Sequence, residues 1–211
     1  SLNIPVSEQI FRKNDWGKPY LVSRAVEFSL THAAYYAACA LDSSSVGLDL
    51  EVPRVTMPVA RRCFHPGEVA FLETLSEPEQ PDALLRLWTI KEAYTKQLGR
   101  GLHIPLDSFY ADLHESEANL YQDSRPIPVR LHEYPLNGLR LCLCSNSERP
   151  EITQFIPNLK KLPQVPELAP AAVFLHFSGK LVGDDAHIVP ADETILTKIF
   201  GEFEIAQWVD V

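Results

Sequence analysis

The sequence lacks several features that would each define a class of protein. It has no run of about 18 apolar residues, the length that a helix needs to span a membrane, and its first residues lack the basic start and apolar block of a secretory signal. The four cysteines form no C-x-x-C pair, which argues against a zinc site or a disulfide framework. The formal net charge of -9 argues against a general nucleic-acid binder. We therefore expect a cytoplasmic protein in which any phosphate site is local.

The stretch from Leu87 to Leu102, LWTIKEAYTKQLGRGL, has the pattern of an amphipathic helix that ends in a glycine-framed turn. Apolar side chains three and four residues apart predict a buried stripe made of Leu87, Ile90, Tyr94 and Leu98. Glu92 and Lys96 lie roughly opposite that stripe, and Gly99 and Gly101 release the chain around Arg100. Taken alone, Glu92 and Lys96 form a solvated ion pair one turn apart. Carboxylates upstream of this helix favour instead a role for Glu92 and Lys96 in a functional site.

Three strand-like segments precede this helix, with the sequences VEFSLTH, YYAACAL and VGLDLE. Short turns separate them, which predicts an antiparallel meander with His32 at the end of its first strand. A broken helical pattern covers residues 56–75, and about four further strand-like segments follow Leu102. Strands, then helices, then strands again indicate an α+β fold with antiparallel sheets.

The segment VGLDLE places two carboxylates on one face of its predicted strand. Successive side chains alternate across a strand, so Asp49 and Glu51 share the face of Gly47, opposite Val46, Leu48 and Leu50. Their Cα atoms would lie roughly 6 to 7 Å apart, close enough for both carboxylates to reach one hard cation. An alternative is that they form the solvated side of an edge strand. Against it, Gly47 would leave the surface beside them open for a ligand to approach.

Acidic and cationic side chains recur together across these segments. Carboxylates with few histidines and no thiolate motif suit Mg²⁺, which takes one or two protein carboxylates and completes its shell with water and substrate phosphates. Nearby lysines would take the remaining phosphate charge. The residues therefore predict a magnesium-dependent site for a pyrophosphate-like ligand. Its acids would be Asp49, Glu51 and Glu92, and its cations Lys18, Lys91, Lys96 and Arg100.

Four segments resemble, in this order and spacing, the motifs of the long, Sfp-type 4′-phosphopantetheinyl transferases of the holo-[acyl-carrier-protein] synthase superfamily. They are GKPY, FSLTH, VGLDLE and LWTIKEAYTKQLGRGL, and the similarity covers about residues 17–145. The family transfers the phosphopantetheine arm of coenzyme A to a serine of an acyl- or peptidyl-carrier protein and releases 3′,5′-ADP. The resemblance implies Mg²⁺ as cofactor, coenzyme A as co-substrate and a carrier protein as partner.

The resemblance also implies roles for individual residues. Three acids would bind Mg²⁺ against the coenzyme A pyrophosphate, namely Asp49, Glu51 and Glu92. A second set would contact the coenzyme A phosphates, namely Lys18, Thr31, His32, Lys96 and Lys91. Glu92 would be the general base for the carrier serine, and Lys96 would stabilise or protonate the leaving ADP. Glu68, in the first turn of a helix, would be auxiliary.

The fold implied by the resemblance is a pair of pseudo-twofold-related halves with antiparallel sheets and packed helices. We expect residues 1–55 to form a shortened first half, because the family usually carries a longer segment before the G-K-P turn. Residues 56–147 would form the second half, and residues 148–211 a proline-rich linker and an extension of unknown role. Thr31 replaces the usual serine and keeps the hydroxyl. Two alternatives are a non-catalytic relative that binds carrier protein or coenzyme A without turnover, and an unrelated magnesium-dependent phosphohydrolase.

Overall fold

The computed structural model describes residues 9–23, 26–33, 36–114, 117–136 and 138–148. Ten strands and three α-helices are present in this part of the chain. Their bounds, in chain order, are β1 Phe11–Lys13, β2 Pro19–Leu21, β3 Glu27–Ala33, β4 Tyr36–Asp42, β5 Gly47–Glu51, α1 Met57–Cys63, α2 Pro66–Thr74, α3 Gln80–Leu98, β6 Tyr110–Leu113, β7 Ala118–Gln122, β8 Arg125–Pro126, β9 Arg130–Leu136 and β10 Leu139–Ser145. Apart from Glu148, the linker and extension predicted for residues 148–211 lie outside the described residues.

All the described strand pairs are antiparallel, which confirms the predicted α+β class. They form two hairpins, β1–β2 and β3–β4, and two three-stranded sheets with the orders β5–β10–β9 and β6–β7–β8. The division into units 1–55, 56–147 and 148–211 and the shortened first half stay predictions. Within the described ranges, no helix combines the length and apolar character that a membrane crossing requires.

The predicted meander is wrong at its third strand. β3 and β4 pair as expected, but β5 pairs with β10, with Asp49 opposite Cys142 and Glu51 opposite Arg140. The turn between β4 and β5 explains the change of sheet, because the Ser45 hydroxyl donates to the Gln97 carbonyl at the end of α3. This contact directs the chain toward the helix instead of back along β4.

α3 begins at Gln80, seven residues before the predicted Leu87, and ends at Leu98. Its termination is as predicted, since Gly99 follows with a φ of +69°, the left-handed conformation that glycine adopts at helix ends. Three members of the predicted stripe are buried, but Leu98 is 46% exposed and its predicted burial is wrong. The stripe extends instead toward the helix start, where Leu84 is buried in the same cluster.

The sheet β5–β10–β9 carries a different apolar cluster on each face. Leu48 and Leu50 of β5 pack with Leu141 and Leu143 of β10 and with alanines of the β3–β4 hairpin. On the opposite face, Cys142 and Cys144 pack with the apolar side of α3. Asp49 pairs with Cys142 on this second face. The alternation of β5 therefore points its acids toward α3.

Candidate active site

Gly47 allows β5 to lie directly against α3. A Cβ atom at this position would lie 1.9 Å from the Ala93 carbonyl oxygen and 2.3 Å from the Gln97 backbone nitrogen. Any side chain would therefore force the strand and the helix apart. The open surface beside Gly47 that the sequence suggested for a ligand is occupied by the helix backbone, so that interpretation was wrong. The close contact brings the acids of β5 to the face of α3 that carries Glu92 and Lys96.

Asp49 is the most enclosed acid of this contact, with 5% of its surface exposed. Its Oδ1 atom lies 2.7 Å from the Lys96 ammonium and 3.5 Å from the Thr31 hydroxyl. Its Oδ2 atom is buried and has no hydrogen-bond partner among the described residues. A buried carboxylate oxygen without a partner is costly, which makes Oδ2 a natural ligand for a cation.

Glu51 is also buried, but its partners differ from those of Asp49. Its Oε1 accepts from the Val52 backbone N–H at 2.9 Å, and its Oε2 accepts from the Arg54 guanidinium at 2.6 Å. Arg54 was not among the residues predicted from the sequence. A signal was present, because a cation three residues beyond a strand carboxylate, just after Pro53, can fold back onto that carboxylate. Arg54 is therefore a cation of the site that the sequence analysis did not predict.

Glu92 faces the carboxylates of β5 from the helix. Burial, followed by the negative charges of Asp49 and Glu51, raises the pKa of Glu92 to about 7, although Lys96 and Arg54 act in the opposite direction. The three acids predicted as metal ligands therefore share one local field. This is the electrostatic signature of a site with more negative charge than its own cations neutralise.

The donor set fits a hard divalent cation. As the side chains stand, no three His, Cys, Asp or Glu groups among the described residues are placed to hold one ion. Instead, Lys96 forms an ion pair with Asp49, and Arg54 forms one with Glu51. The unpaired Oδ2 of Asp49 and the raised pKa of Glu92 are both features that an oxygen-preferring cation would relieve.

Two hydroxyl groups of β3 hold the outer edge of β5. The Leu48 N–H donates to the Ser29 hydroxyl at 2.9 Å, and the Leu50 N–H donates to the Thr31 hydroxyl at 3.0 Å. These two amides flank Asp49, so they fix the strand on either side of its carboxylate. Thr31 also lies 3.4 Å from the Lys96 ammonium, which places it inside the predicted site.

The structure does not bring every predicted residue to the carboxylates. Lys18 donates to the Val46 carbonyl at 2.8 Å and lies 3.5 Å from the Gln97 carbonyl, at the start of β5 and the end of α3. His32 follows Thr31 in the strand and is therefore on the other face, where it is exposed. The Arg100 guanidinium lies over the Trp16 ring, 5.1 Å from its centre.

Lys91 lies in the core on the opposite side of α3. Its ammonium is fully buried, 2.8 Å from Glu68, and donates to the carbonyls of Leu106 and Phe109 at 2.7 and 2.9 Å. Burial lowers the pKa of Lys91 and raises that of Glu68, while each charge favours the other. These contacts connect α2, α3 and the segment before β6, and they give Lys91 a structural role.

Comparison with known proteins agrees with the motifs found in the sequence. Residues 45–144 match the 4'-phosphopantetheinyl transferase superfamily, a span that contains β5, α3, all three acids and all of β10 except Ser145. This part of the chain belongs to that family, which confirms the resemblance drawn from the motifs.

Individual relatives match longer stretches of the chain than these 100 residues. The chain is 34% identical to the 4'-phosphopantetheinyl transferase gsp of Aneurinibacillus migulanus over 146 residues, which cover 68% of this chain and 61% of that protein. It is 30% identical to the 4'-phosphopantetheinyl transferase Sfp of Bacillus subtilis over 139 residues, 64% of this chain and 62% of that protein. The chain thus spans less than two thirds of the length of these relatives.

Proposed function

We propose that the protein transfers the 4′-phosphopantetheine arm of coenzyme A to a serine of an acyl- or peptidyl-carrier protein, in a magnesium-dependent reaction that releases 3′,5′-ADP. The observation that carries the proposal is the meeting of Asp49, Glu51 and Glu92, with one buried carboxylate oxygen unpaired and one carboxyl pKa raised to about 7. The family match and the names of the relatives support the same reaction. A location in the cytoplasm stays a prediction.

Asp49, Glu51 and Glu92 are the residues that would hold the metal. When bound, magnesium would neutralise charge on the pyrophosphate of coenzyme A and on the oxygen that leaves with ADP. Lys96 lies 2.7 Å from Asp49 and is partly exposed, so it can turn from this carboxylate toward a phosphate. Thr31 lies beside it. We keep Lys18 and His32 as proposed phosphate contacts and leave Lys91 out of the set, because its ammonium is buried in the core.

The chemistry proposed for these residues is an in-line displacement at phosphorus. The serine oxygen forms a bond to the phosphorus that carries pantetheine, the bond from that phosphorus to the bridging oxygen breaks, and 3′,5′-ADP leaves. Glu92 takes the serine proton as the general base. Lys96 stabilises or protonates the oxygen of the leaving ADP.

Intact-mass spectrometry tests the proposal directly. An apo carrier protein incubated with this chain, coenzyme A and Mg²⁺ should gain one phosphopantetheine, and EDTA should prevent the gain. The Glu92→Gln variant should fold and fail to transfer. Glu73→Gln is the matched control, because Glu73 lies on the exposed side of α2 in an ion pair with Arg61, away from the site.

Each negative result has its own meaning. Binding of coenzyme A or carrier without any mass gain would replace the proposal with the non-catalytic relative. Release of phosphate from coenzyme A without a carrier would favour a phosphohydrolase. Collapse of the Glu92→Gln fold would make Glu92 structural.

A further inference from the structure

We propose that Arg54 is the counter-ion of Glu51 in the ligand-free protein, that a divalent cation displaces it, and that its guanidinium group then binds a phosphate of the substrate. The inference rests on the proposed function for the identity of that substrate. It assigns a role in the site to a residue outside the G-K-P, F-S-L-T-H, V-G-L-D-L-E and W-T-I-K-E-A segments.

The first step is that Arg54 and a cation compete for one oxygen atom. Glu51 has one oxygen bonded to the Val52 N–H and the other bonded to Arg54 at 2.6 Å. A metal ion that uses Oε2 must therefore remove the guanidinium. The Oε1 atom can keep its bond to the Val52 N–H during this exchange, because the metal would use the other oxygen.

The second step concerns which partner can leave. The Arg54 side chain is 63% exposed, whereas the Glu51 side chain is only 8% exposed. Arg54 can move into water at little cost, because ion pairs with an exposed partner contribute little to stability. Glu51 has no comparable freedom, and an uncompensated charge at its position would be costly. When a cation binds, the exposed Arg54 side chain can therefore move away while the buried Glu51 carboxylate remains in place.

The third step is the charge balance of the site. When all three acids are ionised they face two cations, Lys96 and Arg54, and the ligand-free cluster then has one net negative charge. Addition of a divalent cation makes the cluster net positive by one charge, provided that Arg54 remains near it. A site in that state attracts a doubly charged pyrophosphate. A displaced guanidinium at its edge is well suited to bind phosphate oxygens through two parallel N–H groups.

The fourth step is the place of Arg54 in the chain. It lies in the irregular segment between β5 and α1, three residues after Glu51. Its guanidinium lies 2.6 Å from the carboxylate of Glu51, one of the three acids of the site. The guanidinium therefore lies close enough to serve both the carboxylates and a ligand held by them.

The proposal predicts effects of opposite sign on two ligands, measured on the full chain without carrier protein. Titration with Mn²⁺, followed by electron paramagnetic resonance, should show that Arg54→Gln binds the metal about two- to fivefold more tightly than wild type, because the competing cation is gone. Calorimetric titration with coenzyme A at saturating Mg²⁺ should show binding weaker by about tenfold or more, because a charge-assisted phosphate contact is lost.

Arg61→Gln is the matched control, since Arg61 is an exposed arginine in a 2.9 Å ion pair on α1 and should change neither affinity. Arg54→Lys keeps the charge, so it should bind Mn²⁺ like wild type and bind coenzyme A with intermediate affinity. Unchanged or weaker Mn²⁺ binding in Arg54→Gln, or no Mn²⁺ binding to wild type, would overturn the displacement. Unchanged coenzyme A affinity would overturn the phosphate contact. If Arg54→Gln shows both changes in affinity but the wild-type chain modifies no carrier protein, only the transferase proposal would be refuted.

Discussion

Replacing Glu92 with glutamine removes a carboxyl group whose pKa the fold raises to about 7 from an ordinary 4.5. The folded state therefore holds this proton more tightly than the unfolded chain does. We predict that the substitution abolishes transfer and, at the same time, stabilises the ligand-free protein at neutral and alkaline pH. Glutamine has nearly the same shape as the protonated glutamate, so it avoids the cost of a buried charge near Asp49 and Glu51.

The sign and size of the effect follow from the two pKa values. Below about pH 4.5 Glu92 is protonated in both the folded and the unfolded state, so it does not lower the free energy of unfolding. Between pH 4.5 and 7 the unfolded state loses its proton while the folded state keeps it, so stability falls as pH rises. Above pH 7 the full penalty remains, roughly 3 kcal/mol for this pKa difference at 25 °C. For a protein of this size that corresponds to roughly 6 to 12 °C in the unfolding midpoint.

Urea unfolding in the presence of EDTA checks this reasoning at pH 5 and at pH 8. Glu92→Gln should be only slightly more stable than wild type at pH 5 and more stable by about 3 kcal/mol at pH 8. Glu73→Gln, on the exposed side of α2, should show no such pH dependence. A stability difference that is equal at both pH values, or a Glu92→Gln variant less stable than wild type at pH 8, would refute the assignment of a strained carboxylate to this position.

Three further substitutions or reactions test the rest of the structure. Gly47→Ala should destabilise the protein by about 3 kcal/mol or more in urea unfolding, because backbone atoms of α3 block the new methyl group. Gly67→Ala is the control and should have little effect, because its methyl group would meet only the His65 side chain, at 3.3 Å. Lys91→Met should lower the free energy of unfolding by about 3 to 5 kcal/mol, because it leaves Glu68 buried without its partner. Adding Glu68→Gln to this variant should restore part of the lost stability. Equal stability of the single and double variants would contradict a buried ion pair. Iodoacetamide should label Cys63 in the native protein and the other three cysteines only after unfolding, since those three are buried, and mass mapping of the labelled peptides would show any exception.

The fold could be predicted from the sequence where local periodicity determines it. The alternation in VGLDLE correctly places Asp49 and Glu51 on one face, and Gly99 correctly marks the end of α3. The partner of β5 could not be predicted, because it is a strand about ninety residues later whose pairing depends on the packing of both sheet faces. The early start of α3 at Gln80 was hidden by the acidic, proline-rich segment before it, although Pro81 suits the first turn of a helix.

Predicted site residues divide according to which face of α3 they occupy. Glu92 and Lys96 face β5, whereas Lys91, next to Glu92 in the chain, turns into the core toward Glu68. Helical periodicity separates Lys91 from Lys96, but it cannot show that the core side contains a buried carboxylate to receive a lysine. Only the packing of α2 against α3 supplies that partner. A buried lysine in a motif is therefore ambiguous until its acid is located.

The same packing explains why the acids lie together despite their mutual repulsion. Gly47 allows the α3 backbone to approach β5 within a distance that no side chain would permit, and the two hydroxyl bonds from Ser29 and Thr31 prevent β5 from sliding away. The apolar faces on both sides of the sheet supply the free energy that holds this geometry. Lys96 offsets part of the repulsion, and Asp49 still retains an unpaired buried oxygen. The fold thus maintains an excess of negative charge that a divalent cation would relieve, and this excess would make metal binding and folding stability mutually dependent.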